Sequence, residues 1–443
     1  MVITDKVMKV SPQQVANILQ TESNEFGSYF DYDRIVEYIS FHKLRLAQEM
    51  KYFYSISNDF SYTVTKRVET INMLKSKFGV SAGAFGQNGT TLDKEVINML
   101  VESYPEDTAI GQFIRKYKQA THDSYMISYL GQYEALEKVR TLSYENHRMV
   151  LAHPKWKVAS TSRILGSDPS VQNVPKEFAD IVTAPKGYQL IFSDSGQIEP
   201  RITYSVFLAD PVIKHLITMY DDAYYGLMHF ISMDALERAS AYENVNNIII
   251  KPVTDEMVIG RKILKVLALA GNYGSSNLDA IDPVLGPLYD QFVVKHPIRL
   301  QLERDIRSAV RSGVSTFYGA FGTPVTPDET SQYKKGGPGW FEHVVRCGIN
   351  NPVQTTASEL MCFSVDRATH LLAGGAKGHI NYYKHDEGSF YVLDDYVDEL
   401  KPKLRDCVSY QIEGWIPIGS DLVVGRKEGF RDTMLFRQWN LGQ

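Results

Sequence analysis

The alternation of hydrophobic and polar positions changes rhythm near residue 150 of this 443-residue chain. Before that point the spacing is mostly helical. In Arg34-Ile-Val-Glu-Tyr-Ile-Ser-Phe-His-Lys-Leu-Arg-Leu46, apolar residues recur at mixed i, i+3 and i+4 intervals, which lays an apolar face along a helix. Thr91-Leu-Asp-Lys-Glu-Val-Ile-Asn-Met-Leu100 continues as an amphipathic helix, and its opening hydroxyl predicts Thr91 as the cap. Gly79 to Thr90, rich in Gly, Ser, Asn and Ala, reads as a flexible loop. After residue 150, short β-like runs at Gln189–Phe192, Ile380–Tyr383 and Ser389–Leu393 alternate with helical stretches. Phe321 to Trp340 is rich in Pro, Gly and Lys and reads as a long loop or irregular hairpin.

Three segments carry candidate chemistry. Thr254 to Gly274 has a capping Thr, acids in its first turn and a terminal Gly, so it reads as one helix. Arg261, Lys265, Leu269 and Tyr273 lie four apart on it. Each step of four turns about 400°, so they form one slowly drifting stripe. Two cations followed by an apolar residue and a tyrosine could hold a triphosphate and pack against a base. Ser193-Asp-Ser-Gly-Gln-Ile-Glu-Pro-Arg201 places two acids, Asp194 and Glu199, in a small-residue turn after the apolar run Tyr188–Phe192. His379 to Leu393 reads as two strands around a tight turn, His385-Asp386-Glu387-Gly388. Asp194 and Asp386 thus fall at strand ends that could meet, and two carboxylates can share two Mg2+ ions for phosphoryl chemistry. Taken singly, each segment also has an ordinary structural reading: a strand-end acid capping a helix, a solvated amphipathic helix, a polar β-turn.

Composition narrows the class. Hydrophobic residues make up 44% and charged residues 22%, usual for a globular protein, and the formal charge of -5 leaves any nucleic-acid contact to a local basic groove. The 27 tyrosines are core and surface aromatics or stacking platforms for bases. Three cysteines without a C-x-x-C pair favour reduced thiols in an intracellular setting over a disulfide frame or a zinc knuckle. No apolar run reaches membrane-spanning length, and the N-terminus lacks a signal or transit pattern. A cytoplasmic protein is the expectation.

In this order the segments resemble the polymerase domain of family A DNA polymerases, the bacterial DNA polymerase I type. Ser162-Arg-Ile-Leu-Gly-Ser-Asp-Pro-Ser-Val-Gln-Asn-Val-Pro175 resembles the T-G-R-L-S-S-x-x-P-x-L-Q-N-I-P block. Ser193–Arg201 resembles motif A, D-Y-S-Q-I-E-L-R, and Arg261–Gly274 resembles motif B, R-x-x-x-K-x-x-x-F-G-x-x-Y-G. Arg346 to Leu360 resembles R-x-x-I-N-x-P-x-Q-G-T-A-A-D, and Lys384–Glu387 resembles motif C, V-H-D-E. A weaker echo is Ile416 to Gly425. The likeness covers residues 150 to 430 and extends back over Asn72–Lys118. Five motifs in order leave little room for chance.

The resemblance implies an α+β right-hand fold with an antiparallel-sheet palm, helical fingers and a helical thumb. The expected layout is an N-terminal extension at 1–30, thumb at 31–150, palm at 151–212, fingers at 213–340 and palm again at 341–443, with no 3′–5′ exonuclease domain. It implies a DNA-directed DNA polymerase whose catalytic group comprises Asp194, Asp386, Glu387 and Lys265. Asp194 and Asp386 would hold two Mg2+ ions, with Mn2+ as a substitute, and Glu387 would support them. Arg261, Lys265, Leu269, Tyr273, Gln197 and Glu199 would bind the nucleotide, Glu199 as the gate against a 2′-OH. Arg163, Gln172, Asn350, Gln354 and His385 would contact primer–template DNA. Partners would be that DNA, deoxynucleoside triphosphates and a separate exonuclease, helicase or processivity factor, with no membrane. A compact, divergent enzyme of this type suits a phage replicon in its host's cytoplasm.

The chain also departs from the pattern. Ser195, Gly196 and Pro200 stand where motif A has Tyr, Ser and Leu, which predicts a looser turn at Gly196. Leu269 and Ala270 stand where motif B has an aromatic residue and Gly; Leu165 and Gly166 replace hydroxyls, Thr355 replaces Gly, and the Phe321–Pro327 loop lacks arginines. Two other readings share these residues: a single-subunit RNA polymerase of the same fold, and an inactive DNA-binding scaffold. Glu199, the Q-N-V-P block and H-D-E favour DNA synthesis, and the retained charges favour activity.

Overall fold

The structure is a computed structural model describing residues 2–3, 10–85, 90–136, 141–144, 147–275, 277–330 and 333–424. The chain forms two compact units, Met1–Ser28 with His153–Ala179 and Thr183–Gln443, and Tyr29–Ala152 with Asp180–Val182.

The larger unit is built on a four-stranded antiparallel sheet in the order Gly378–Lys384, Glu387–Leu393, Tyr188–Ser195, Ser420–Val424. The three predicted β runs are its first three strands. Leu190 to Ser193 are buried without alternation, as expected of a strand covered on both faces. Ile191, Phe390 and Val392 pack with Leu360 and Val365 of the helix Trp340–Leu371 and with Leu400 and Leu404 of Val397–Cys407. The helix Pro12–Glu25, opened by a Ser11–Gln14 capping box, adds Val15 and Leu19 to that core. Of the predicted loop or irregular hairpin Phe321–Trp340, Pro324–Val325 forms a short strand, paired with Phe317–Tyr318, which precedes the predicted segment. The echo at Ile416 to Gly425 supplies the fourth strand, and Gly425 lies outside the described residues.

A second core in this unit joins Pro211–Tyr220, Ala223–Ser232 and Asp255–Asn272 through Leu216, Ile217, Leu227, Phe230, Leu264 and Leu267. Thr254 caps the last helix as the sequence predicts, its hydroxyl accepting the Met257 N–H at 3.3 Å. The first two helices lie against each other at Gly226, where a Cβ would sit 2.7 Å from the Ile217 backbone nitrogen. Gly226→Ala is therefore expected to force the pair apart and cost about 1–3 kcal/mol. Thermal unfolding checks it, and an unchanged Tm would refute the tight approach.

The smaller unit packs the helices Tyr32–Ser57 and Ala109–Glu134 along each other, with Arg67–Phe78 and Lys94–Ser103 against them. Phe53, Leu74, Phe85, Leu100, Phe113 and Tyr117 fill its core. Three details correct the helical reading. Asp93, not Thr91, caps the fourth helix, accepting the Val96 N–H at 2.9 Å; its carboxylate sits directly before the helix, whereas Thr91 lies outside it. The Gly79–Thr90 segment is not all loop, because Ala82–Phe85 forms a 3-10 turn that buries Phe85; residues 86–89 lie outside the described set. A three-stranded sheet of Ser28–Asp31, His147–Ala152 and Thr141–Tyr144 also occurs.

Asp123 is fully buried in this unit, with Arg45 Nε at 2.9 Å from Oδ2 and His42 Nδ1 at 2.7 Å from Oδ1. Burial pushes its pKa up, but hydrogen bonds from Arg45 and His42 outweigh it and the net shift is downward. Among the described residues no helix is long and apolar enough to cross a membrane.

Candidate active site

Tyr188–Ser195 and Glu387–Leu393 run antiparallel so that Asp194 stands directly opposite Glu387. Asp386 occupies the turn immediately before Glu387. That turn is tighter than predicted: Glu387 and Gly388 already pair with Lys384 and Tyr383, leaving His385 and Asp386 as the connection. His385 takes the left-handed conformation, φ 52°, that a two-residue hairpin turn demands. The Ser195 N–H donates to the Asp386 carbonyl at 2.8 Å, which ties the two acid-bearing segments together.

The turn after Asp194 is not loose. Gly196 N–H donates to the Gly419 carbonyl at 2.8 Å, and the Ser195 hydroxyl donates to the Val408 carbonyl at 2.8 Å. Ser195 is completely buried, so a small side chain with its own hydrogen bond replaces bulk there. Gln197 caps the helix Ile198–Ile202 with φ 56°, and Pro200 lies in its first turn, where no N–H is needed.

One cavity of about 380 Å3 brings the candidates together. Asp194, Glu199 and Gln197 line it from the first turn, His385 and Asp386 from the second, and Arg163 from the segment before Ile164–Ser167. Arg261, Lys265, Leu269 and Tyr273 face it from the long helix, as the four-residue spacing predicts. Burial, followed by the charge of Glu199, raises the Asp386 carboxyl to about 6. Burial and the charges of Arg163 and Lys384 lower the His385 imidazole to about 4, so it is neutral at pH 7.

Glu199 is held from two sides. Arg163 forms an ion pair with one carboxylate oxygen, and the Tyr273 hydroxyl donates to the other at 3.5 Å. Burial and the nearby Glu199 charge raise the Tyr273 pKa, keeping that hydroxyl protonated. Gln354 Nε2 donates to the same Tyr273 oxygen at 3.2 Å, and Asn350 lies one turn away on the same helix. The expectation that Arg163 reaches toward DNA meets a guanidinium engaged with Glu199.

Four candidates fall outside the cavity lining: Asn350 and Gln354 line a neighbouring pocket that also touches Glu199 and Tyr273, and Gln172 and Glu387 are buried. Gln172 is buried, with its amide oxygen accepting the Gly166 N–H at 2.7 Å and its nitrogen donating to the Ile164 and Tyr383 carbonyls. Those bonds make it a clamp between backbone segments rather than a side chain presented to a groove. Glu387 is buried beside Asp194 in register and accepts a hydrogen bond from the Tyr382 hydroxyl at 3.0 Å.

No protein-family model matches the chain. It is 25% identical over 282 residues to DNA polymerase I of Pseudomonas aeruginosa, a match covering 60% of this chain and 28% of that protein. The chain thus matches less than a third of that relative's length. Its fold is that of the POL domain of Pol1 from M. smegmatis, solved in complex with DNA primer-template and dNTP. The TM-score is 0.74 at 15% identity, over 95% of this chain and 70% of that one. The chain is thus similar in sequence to part of a DNA polymerase I and shares the fold of a polymerase domain.

Sequence reasoning missed Asp222. Its Oδ1 accepts the Tyr224 and Tyr225 N–H groups at 2.9 Å, capping Ala223–Ser232. Its Oδ2 receives Arg261 Nε at 2.9 Å, Arg261 Nη2 at 2.7 Å and Gln197 Nε2 at 2.5 Å. The sequence signal was only that of an acid ahead of a helix, and nothing in the spacing reports the reach to Arg261.

The donor set suits Mg2+. Asp194 and Asp386 present hard carboxylate oxygens to the cavity. Among the described residues no group of three or more His, Cys, Asp and Glu side chains is placed to hold a metal. Mg2+ is typically bound by one or two carboxylates, with substrate phosphates and water completing the shell, rather than by an all-protein cage.

Proposed function

We propose that this protein is a template-directed DNA polymerase that adds deoxynucleotides to a primer 3′-OH, using two Mg2+ ions, primer–template DNA and deoxynucleoside triphosphates. The observation that carries the reading is the convergence of Asp194, Asp386, Arg261 and Lys265 on one cavity. In this reading the four-stranded sheet is the palm, residues 213–340 are the fingers and residues 31–150 the thumb.

When bound, the metal ions supply Lewis-acid activation of the primer hydroxyl and neutralise charge on the leaving pyrophosphate. Asp194 and Asp386 provide the anionic oxygens that hold them, and the Ser195–Asp386 backbone bond fixes one acid-bearing segment against the other. Arg261 and Lys265 bind the triphosphate; the Lys265 ammonium makes no hydrogen bond or ion pair among the described residues, so it is available for that task. Leu269 and Tyr273 pack beside the base and sugar. Glu199, fixed by Arg163 and Tyr273, occupies the place of the sugar gate.

The test is primer extension by the purified protein with Mg2+. Template-directed extension with deoxynucleotides and much weaker use of ribonucleotides is expected. Failure to extend with either set would exclude the reading, and equal use of both would point to RNA synthesis. Glu199→Ala is expected to relax the preference for deoxynucleotides by about tenfold or more. An unchanged ratio of kcat/KM values for the two sugars would remove Glu199 from the gate.

A further inference from the structure

We infer that Asp222 is a positioning residue for nucleotide binding: it locks one edge of the Arg261 guanidinium and turns the other toward the triphosphate. This rests on the polymerase reading of Arg261 above. Three observations carry it.

The first is how the guanidinium is held. Nε and Nη2 both point at a single carboxylate oxygen, Asp222 Oδ2, at 2.9 and 2.7 Å. The rings of Tyr224 and Tyr225 flank the same group, with their centroids 5.5 and 5.6 Å from its central carbon. Nη1 makes no hydrogen bond or ion pair among the described residues, and Arg261 lines the cavity that contains Asp194 and Asp386. A planar fork grasped along one edge can still offer a phosphate its other donors, and its orientation is fixed before the ligand arrives.

The second is how Asp222 is itself held. Its Oδ1 caps a helix, so the carboxylate cannot rotate without uncapping Tyr224 and Tyr225. Gln197 adds a second brace, donating Nε2 to Asp222 Oδ2 while its Oε1 accepts the Ala223 N–H at 2.5 Å. Gln197 lies three residues after Asp194, so the brace links the turn carrying a metal-binding acid to the helix carrying the triphosphate cations.

The third is burial. The side chains of Arg261 and Asp222 are 21% and 13% exposed, so this pair is shielded from the screening that weakens ion pairs at the surface.

Asp222→Asn separates capping from charge, because asparagine caps a helix about as well as aspartate but carries no charge for Arg261. Single-nucleotide incorporation is expected to show KM for the deoxynucleotide raised about three- to tenfold, the fold-change expected for losing one pre-ordered side chain, with kcat within about twofold. The thermal midpoint should fall only slightly, because the cap is kept and one partly exposed ion pair is lost. In an Arg261→Ala background the same substitution should add nothing, whereas a purely structural Asp222 would keep its effect there. An unchanged or lowered KM, or an effect that persists without Arg261, would overturn the inference. If Arg261→Ala alone leaves KM unchanged, the triphosphate assignment of Arg261 fails instead, which separates the two failures. Should Asp222→Asn prove unstable, Arg261→Lys serves as the second variant: it keeps a charge but loses the Nε edge. The inference then requires a KM increase, and a wild-type KM would overturn it.

Discussion

Asp194→Ala and Asp386→Ala are each expected to reduce primer extension at least about a thousandfold, equivalent to about 4 kcal/mol of barrier. The reason is local. Each substitution removes one of the two carboxylates proposed to hold the metal ions, at a site with no larger cluster of metal ligands among the described residues. The fold should tolerate the change, since neither side chain belongs to the apolar cores and the Ser195 N–H to Asp386 carbonyl bond uses main-chain atoms. Duplex binding, read by fluorescence anisotropy, should stay within about threefold of wild type while the extension rate collapses. Near-normal extension by either variant would refute the two-carboxylate assignment. Loss of duplex binding in parallel with extension would mean that the acids hold the structure together rather than a metal.

The largest expected effect on stability is in the smaller unit. Asp123→Ala should lower its opening free energy by about 3 kcal/mol, because it leaves His42 and Arg45 facing a buried hole without their acceptor. The figure is taken at the low end because the Arg45 side chain is 32% exposed and recovers some hydration. Native-state hydrogen exchange of the amides in Tyr32–Ser57 and Ala109–Glu134 resolves this from the rest of the molecule. The same carboxyl gives a pH dependence of definite sign. Its pKa is lowered in the fold, so its stabilisation is complete at neutral pH. That stabilisation begins to fade near the unfolded value of about 3.9 and is lost as the pH falls through the native value. The difference between wild type and Asp123→Asn should therefore shrink on moving from pH 7 to pH 3. A difference independent of pH would show that charge is not what Asp123 contributes.

The sequence reveals those parts of the molecule that depend on local pattern. The stripe from Arg261 to Tyr273 needs only helical periodicity, and all four side chains line the cavity. The three β runs follow from their apolar content, and the hairpin around Asp386 from its turn residues. Long-range hydrogen bonding is what the pattern does not encode. Gln172 matches a motif letter, yet its amide is consumed by backbone groups including the Tyr383 carbonyl, 211 residues away. Gly196 suggests slack because glycine is permissive, but its N–H and that of Ser195 are both satisfied by carbonyls from far along the chain. Asp222 looks like an ordinary cap, and its second oxygen does the less predictable work. The cap at Asp93 differs from the expected Thr91 for a local reason, two plausible capping side chains lying two residues apart. The small sheet was hidden because its strands come from both ends of a helical segment.

That small sheet has a practical consequence for engineering. The smaller unit is entered by the strand Ser28–Asp31 and left by His147–Ala152, which are neighbours in one hydrogen-bonded sheet. Its entry and exit therefore run on neighbouring strands, whose backbones lie about 5 Å apart. An insertion that leaves and rejoins its host on paired strands is a cassette: it can be exchanged for another module at those two strands, provided that Asp180–Val182, which belongs to the same unit, is exchanged with it. The acids, the cations and the cavity they share all belong to the larger unit, so such an exchange would leave every residue proposed to perform the chemistry in place.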